Sequence, residues 1–264
     1  MNLSPAKTLA FVALAISLQT GCRPANQISG KVTLDGAPPP EIKVTLDAAS
    51  ARLRPNGLTT RHYMVSSNRG LANVFVYIKA GLSNQTFKAA TSPVVMEFRG
   101  AQFEPYVIAV WTNQTVRFRN HDPILQNVHI TPRIPGNRES NFAMPNRTPT
   151  IKEAWYQAAI RFLLRRPRPS LGIDRAFASP EPFIRVKCDV HPWEFGYICV
   201  VDHPFFAVTD ANGNFKFPSG LLPGKYTIEA RHLKAGAVTQ EVVLTRGARE
   251  KLEFTLTVPQ TRVP

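Results

Sequence analysis

Apolar and polar positions alternate at period two along several short segments of this chain, as in strands that bury one face and wet the other. Residues 28–34, Ile28-Ser29-Gly30-Lys31-Val32-Thr33-Leu34, follow that pattern and stop at Asp35-Gly36, a strand entering a turn. Residues 37–40 break any regular pairing, and the arginine-rich stretch 51–70 has no period and reads as surface loop. Strand signals resume over 72–78, 94–98, 106–111 and 115–119, each rich in β-branched or aromatic residues and bounded by Gly, Pro or Asn. That is the spacing of a β-sandwich. Further on, 206–217 reads as two strands around an Asn-Gly turn, and strands over 222–230, 238–244 and 253–258 complete a small antiparallel set.

One segment departs from the period. Thr150-Ile151-Lys152-Glu153 has the form of a helix capping box, and Ala154, Trp155, Ala158, Ala159, Phe162 and Leu163 follow at helical spacing until Pro167. Arg161, Arg165, Arg166 and Arg168 crowd the end of this predicted amphipathic helix, where they favour the negative end of the helix dipole.

The length, 264 residues, allows one large domain or two ordinary ones, and 23 prolines against 15 glycines fit a turn-rich β protein, not a helical bundle. A formal charge of +14 predicts attraction to anionic partners or lipids. The basic residues are dispersed and carry no nucleic-acid motif, so no nucleic-acid partner is expected.

The amino-terminal pattern is an export signal. After Lys7 no charge occurs until Arg23, and the apolar stretch 9–18 is shorter than the ~20 residues that span a bilayer. It ends at Leu18-Gln19-Thr20-Gly21-Cys22, which resembles a bacterial lipoprotein cleavage box with Cys22 as the acylated residue. The expected location is the cell envelope or periplasm, with a membrane anchor through lipid. Cys188 and Cys199 then remain, in a compartment that permits a bridge between them. Cys199 lies in the apolar run Tyr197-Ile198-Cys199-Val200-Val201 and reads more simply as a small buried hydrophobe.

The candidate chemistry lies in two strand-loop-strand units. The strand 182–187 delivers Cys188-Asp189-Val190-His191-Pro192-Trp193-Glu194 before the next strand begins at Tyr197. A thiolate and an imidazole three residues apart on such a loop can converge on one ion, with Pro192 stiffening the loop and Trp193 shielding it. Upstream, Val116-Arg117-Phe118-Arg119-Asn120-His121 leads through a loop to Gln126-Asn127-Val128-His129 and brings a further donor to the same end.

Together these units resemble the cupredoxins, most closely the amicyanin-like group, in which a strand "V-x-F-x-N" precedes "H-N-V-H" and the copper loop reads C-x-x-H-P-F/W-M. The final fifty or so residues, with Thr209-Asp210 before Gly213 and Phe215 and with Leu222-Pro223-Gly224-Lys225-Tyr226, resemble the carboxypeptidase regulatory-like, or transthyretin-like, β-sandwich module. This combination behind a lipoprotein leader is similar to planctomycete-type envelope lipoproteins. The resemblance implies an all-β chain: signal peptide 1–21, N-terminal strand and loop region 22–71, a Greek-key cupredoxin-like sandwich with one inserted helix over 72–202, a small antiparallel sandwich over 203–258, and a tail 259–264.

It also implies a blue-copper site of two histidines, a cysteine and a weak axial methionine that serves one-electron transfer to a redox partner protein. Cys188 and His191 occupy two of those positions, while Gln126 stands at the first histidine and Glu194 at the methionine. Period two puts His129 on the opposite strand face from Gln126, so it reads as a supporting or packing residue, and Met144 and His121 read as loop residues that serve as further donors only where the fold carries them to the site. An amide in place of an imidazole weakens the field that holds Cu(I), and a carboxylate adds a hard donor, so the expected metal is non-blue Cu(II), with Zn²⁺ or no metal as the alternatives. In the metal-free alternative the chain is a scaffold or binding protein. No nucleophile elbow or catalytic triad is present, Asp122-Pro123 reads as a turn, and no enzyme activity is expected.

Overall fold

The computed structural model describes residues 26–259, apart from 84, 89 and most of 146–171, where Tyr156, Ala159 and Leu163 alone are described, in helical conformation. The rest of the expected helix, the export signal and Cys22 lie outside the described residues.

The described chain forms two β-sandwiches. In the first, the strands Ser140–Met144, Gln126–Thr131, Glu181–Lys187, Phe195–Val201 and Val107–Trp111 make one sheet in that order, and Ile173–Arg175, Val116–Asn120, Val94–Phe98 and Phe103–Glu104 make the other. Met96, Phe98, Val116 and Phe118 face Val128, Ile130, Ile184, Val186 and Ile198 across a core in which each is at most 1% exposed.

The second sandwich recruits more of the chain than the sequence pattern indicates. Gln27–Asp35 lies between Asn214–Lys216 and Arg249–Thr257, and Phe75–Ala80 lies between Phe206–Val208 and Gly224–His232, with Gly236–Leu244 at the sheet edge. The boundary expected at residue 72 is therefore corrected: the strands Gln27–Asp35 and Phe75–Ala80 both belong to the C-terminal sandwich. That sandwich is not purely antiparallel either, because Gln27–Asp35 runs parallel to Arg249–Thr257 in an unbroken nine-residue register. Phe206–Val208 and Asn214–Lys216 do not form the expected hairpin. Each joins a different sheet, while the Asp210 carboxylate holds the turn by accepting from the amides of Asn212 and Asn214.

Burial on both faces explains the continuous apolar run at 74–78. Val74, Val76 and Ile78 point into the second core, whereas Phe75, with Cys199, Tyr106, Val107, Phe183 and Val201, fills a third cluster where the sandwiches meet. Cys199 is free and fully buried there, so it forms no bridge to Cys188.

The arginine-rich stretch holds one element not expected from periodicity, a short helix Ala48–Leu53 capped by Asp47. Local propensity accounts for it, since an N-capping Asp precedes alanines.

Because Gln27–Asp35 is a central strand, Leu34→Ala should lower stability by about 2–5 kcal/mol, read as a reduced urea midpoint. A midpoint unchanged from the parent would show that this strand is peripheral to the fold. Leu34 is 1% exposed within the second core, so the loss is expected without change at the end of the other sandwich.

Candidate metal centre

Strand parity builds the site. In Gln126–Thr131 the inward positions are Gln126, Val128 and Ile130, and in Glu181–Lys187 the inward residues Ile184 and Val186 lead on to Cys188. The register pairs Val186 with Ile130 and Lys187 with His129, so the chain continues from Val186 to Cys188 on the face that Gln126 shares. A tight loop then returns the chain: the Cys188 amide donates to the Glu194 carbonyl at 2.9 Å and the Glu194 amide to the His191 carbonyl at 2.9 Å.

Four polar side chains meet at this end of the core. His191 Nδ1 is 3.0 Å from Gln126 Oε1, 3.7 Å from Cys188 Sγ and 3.6 Å from Glu194 Oε1. Gln126 Oε1 is 3.6 Å from Cys188 Sγ, and Gln126 Nε2 donates to Glu194 Oε1 at 3.2 Å. Gln126 and Glu194 are 0% exposed, Cys188 1% and His191 5%. Among the described residues, Cys188, His191 and Glu194 are the one trio of such donors close enough to hold a single ion, their atoms lying within 4.8 Å of one another. Glu194 Oε2 has no hydrogen-bond partner.

Burial governs the charge of these groups. Desolvation pushes the Glu194 carboxyl up to about 8, opposed by the Gln126 hydrogen bond and reinforced by the charges of Asp122 and Asp47. Desolvation also raises the Cys188 thiol, against the backbone N–H groups beside it, and lowers His191, against the nearby Asp47 and Asp122 carboxylates. In the neutral pH range the metal-free cluster is therefore a thiol, an imidazole, an amide and a largely protonated carboxyl.

The remaining candidates fall elsewhere. His129 faces outward between Glu139 and Asp189, at 2.6 and 2.8 Å. His121 pairs with Glu97 at 2.9 Å. Met144 pairs in register with Gln126 and packs into the core. Trp193 leans on His191, ring centroids 5.3 Å apart.

Two acids that the sequence reading did not connect to the site adjoin it. Asp122 Oδ2 accepts from Gln126 Nε2 at 3.4 Å, and Asp47 Oδ2 lies 3.4 Å from His191 Nε2. An alanine-rich stretch behind a capping Asp was the available signal for the helix that carries Asp47, but nothing local relates that helix to residue 191.

No protein-family model matches the chain, and no curated protein matches it. Among solved structures it is similar to a methionine-to-alanine variant of amicyanin in the Cu(I) form, at 15% identity and TM-score 0.29, over 48% of this chain and 98% of that one. An oxidised proline-to-glycine variant of amicyanin gives 17% identity and TM-score 0.30, over the same shares of the two chains. A copper-containing nitrite reductase from Thermus scotoductus SA-01 gives 17% identity and TM-score 0.27, over 47% of this chain and 26% of that one. Overlaps this weak say nothing about the chemistry of Cys188 and its neighbours.

Glu194 sets a pH dependence in metal-free protein. Between about 4.5, its ordinary value, and about 8, the folded chain keeps a proton that the unfolded chain has released. Stability should therefore fall as pH rises through that window, by up to about 1.4 kcal/mol per pH unit, and Glu194→Gln should flatten the slope. Urea midpoints of chelator-treated protein at pH 5 and pH 8 check this, and parallel slopes in parent and variant would contradict it.

Proposed function

We propose that this chain is an exported, lipid-anchored, cupredoxin-like protein that binds a divalent copper ion through Cys188 Sγ, His191 Nδ1, Glu194 and Gln126 Oε1. The observation that carries this reading is the convergence of four buried donors on one point with a carboxylate oxygen left unpartnered. Buried polar atoms without partners are costly, and a cation is what this donor set fits. Donors bonded to one ion at about 2.0–2.3 Å stand roughly 2.8–3.3 Å apart when adjacent in the square plane that Cu(II) favours and roughly 3.3–3.8 Å apart in a tetrahedron. The contacts of His191 Nδ1 with Cys188 Sγ at 3.7 Å and with Glu194 Oε1 at 3.6 Å fall in the second range, and its 3.0 Å contact with Gln126 Oε1 falls in the first.

Charge favours the divalent state. Loss of one proton from Cys188 and one from Glu194 leaves two buried negative charges beside a neutral imidazole and amide. A dication neutralises them, whereas a monocation leaves one uncompensated. A bound copper ion would supply a one-electron couple. The chain's own part is to exclude water with Trp193 and the surrounding core, and to give up those two protons. Export and anchoring at Cys22 are supported by the uncharged stretch after Lys7.

A second reading, a metal-free scaffold, is favoured by one contact pattern: Gln126 bonds His191 and Glu194 at once and so satisfies much of the cluster without an ion. Copper loading followed by metal analysis separates the two. The proposed function predicts about one equivalent retained, with a visible thiolate-to-copper band, and loss of both in Cys188→Ser. Less than about a tenth of an equivalent in the parent, unchanged in Cys188→Ser, would leave the scaffold reading.

A further inference from the structure

His191 has two ring nitrogens in different surroundings. Nδ1 faces Gln126, Cys188 and Glu194, and on the other side Nε2 lies 3.4 Å from Asp47 Oδ2. A neutral imidazole offers a lone pair at one nitrogen only when its proton sits on the other, and a carboxylate against that second nitrogen holds the proton there.

Asp47 is fixed in place for that contact. It caps the helix Ala48–Leu53, its Oδ1 accepting from the Ser50 amide at 2.7 Å, which leaves Oδ2 for His191. The other end of the helix is tied down by Arg54, whose Nε donates to the Gly100 carbonyl at 2.7 Å. The Gly100 and Ala101 amides in turn donate to Asp122 at 2.6 and 2.8 Å, and Asp122 accepts from Gln126. The helix bearing Asp47 and the strand bearing Gln126 are thus anchored to the same short loop, one on each side of the imidazole.

We propose that Asp47 is a positioning residue of the centre: it holds the His191 proton on Nε2 and turns the Nδ1 lone pair toward Cys188 and Glu194. The inference rests on reading His191 as a ligand. In metal-free protein this tautomer keeps His191 and Glu194 paired when the Gln126 amide is turned over, its nitrogen donating to Nδ1 and its oxygen accepting from the protonated Glu194, at the loss of the Gln126 hydrogen bond to Asp122.

Asp47→Asn and Asp47→Ser separate this role from helix capping, because Asn and Ser both cap well while neither carries a charge to Nε2. Asn also turns a donor toward His191, which favours the opposite tautomer. In metal-free protein, ring ¹⁵N spectra should show His191 protonated at Nε2 in the parent and shifted toward Nδ1–H in Asp47→Asn. Chelator competition should show Cu²⁺ held about 10- to 100-fold more weakly by both variants, with urea midpoints near the parent's. Unchanged ring spectra together with affinities within twofold of the parent would overturn the inference. A parent without Cu²⁺ affinity would contradict the proposed function instead, and the ring spectra would still decide the role of Asp47.

Discussion

Four polar side chains buried at one end of an apolar sandwich must find partners among themselves or in a bound cation, and that requirement organises this part of the molecule. Gln126 and Glu194 are 0% exposed, so their hydrogen-bonding groups have exchanged water for one another. The exchange is incomplete, since one Glu194 oxygen has nothing opposite it. A buried acid left in that state stays protonated into the neutral range, and the thiol beside it is raised too. The cluster is therefore neutral when empty and doubly anionic once both protons leave.

The two sandwiches provide the rigidity this arrangement needs. Gln126, Cys188 and Glu194 sit on or next to strands of the five-stranded sheet and His191 on the loop that joins two of them, and the far side of that sheet is backed by the junction with the second sandwich, where Phe75, Tyr106 and Cys199 pack. Glu229, 1% exposed beside that junction, is satisfied by Tyr77, Lys79 and Arg231. It contrasts with Glu194: a buried carboxylate ringed by two cations and a hydroxyl is held below its ordinary value despite desolvation. Among the described residues no Lys or Arg pairs with Glu194, and its carboxyl is raised instead of lowered.

Local alternation made most strands legible, and with them the all-β class and the inward parity of Gln126 and Cys188. The meeting of Cys188 and His191 was legible in their spacing on one loop, whereas Gln126 and Glu194 were singled out only through the resemblance of their segments to the cupredoxin motifs. Pairing between distant strands was not legible. Nothing in residues 28–34 states that their neighbour is Arg249–Thr257, and the run at 74–78 has the same pattern whichever sandwich it enters. The Asn-Gly turn at 212–213 suggested a hairpin because turn chemistry is local, whereas the parting of its two strands into separate sheets is set by the partners each one meets. Asp47 escaped for a related reason. Its meeting with His191 depends on how an irregular excursion folds back over the site, and no periodicity encodes that.

The most direct test of the account is X-ray absorption at the copper edge of protein isolated with one equivalent of Cu²⁺. Convergence of these side chains on one ion predicts a single sulfur bonded directly to copper beside nitrogen and oxygen donors, with the sulfur lost in Cys188→Ser. A spectrum of nitrogen and oxygen donors only, identical in parent and variant, would contradict it.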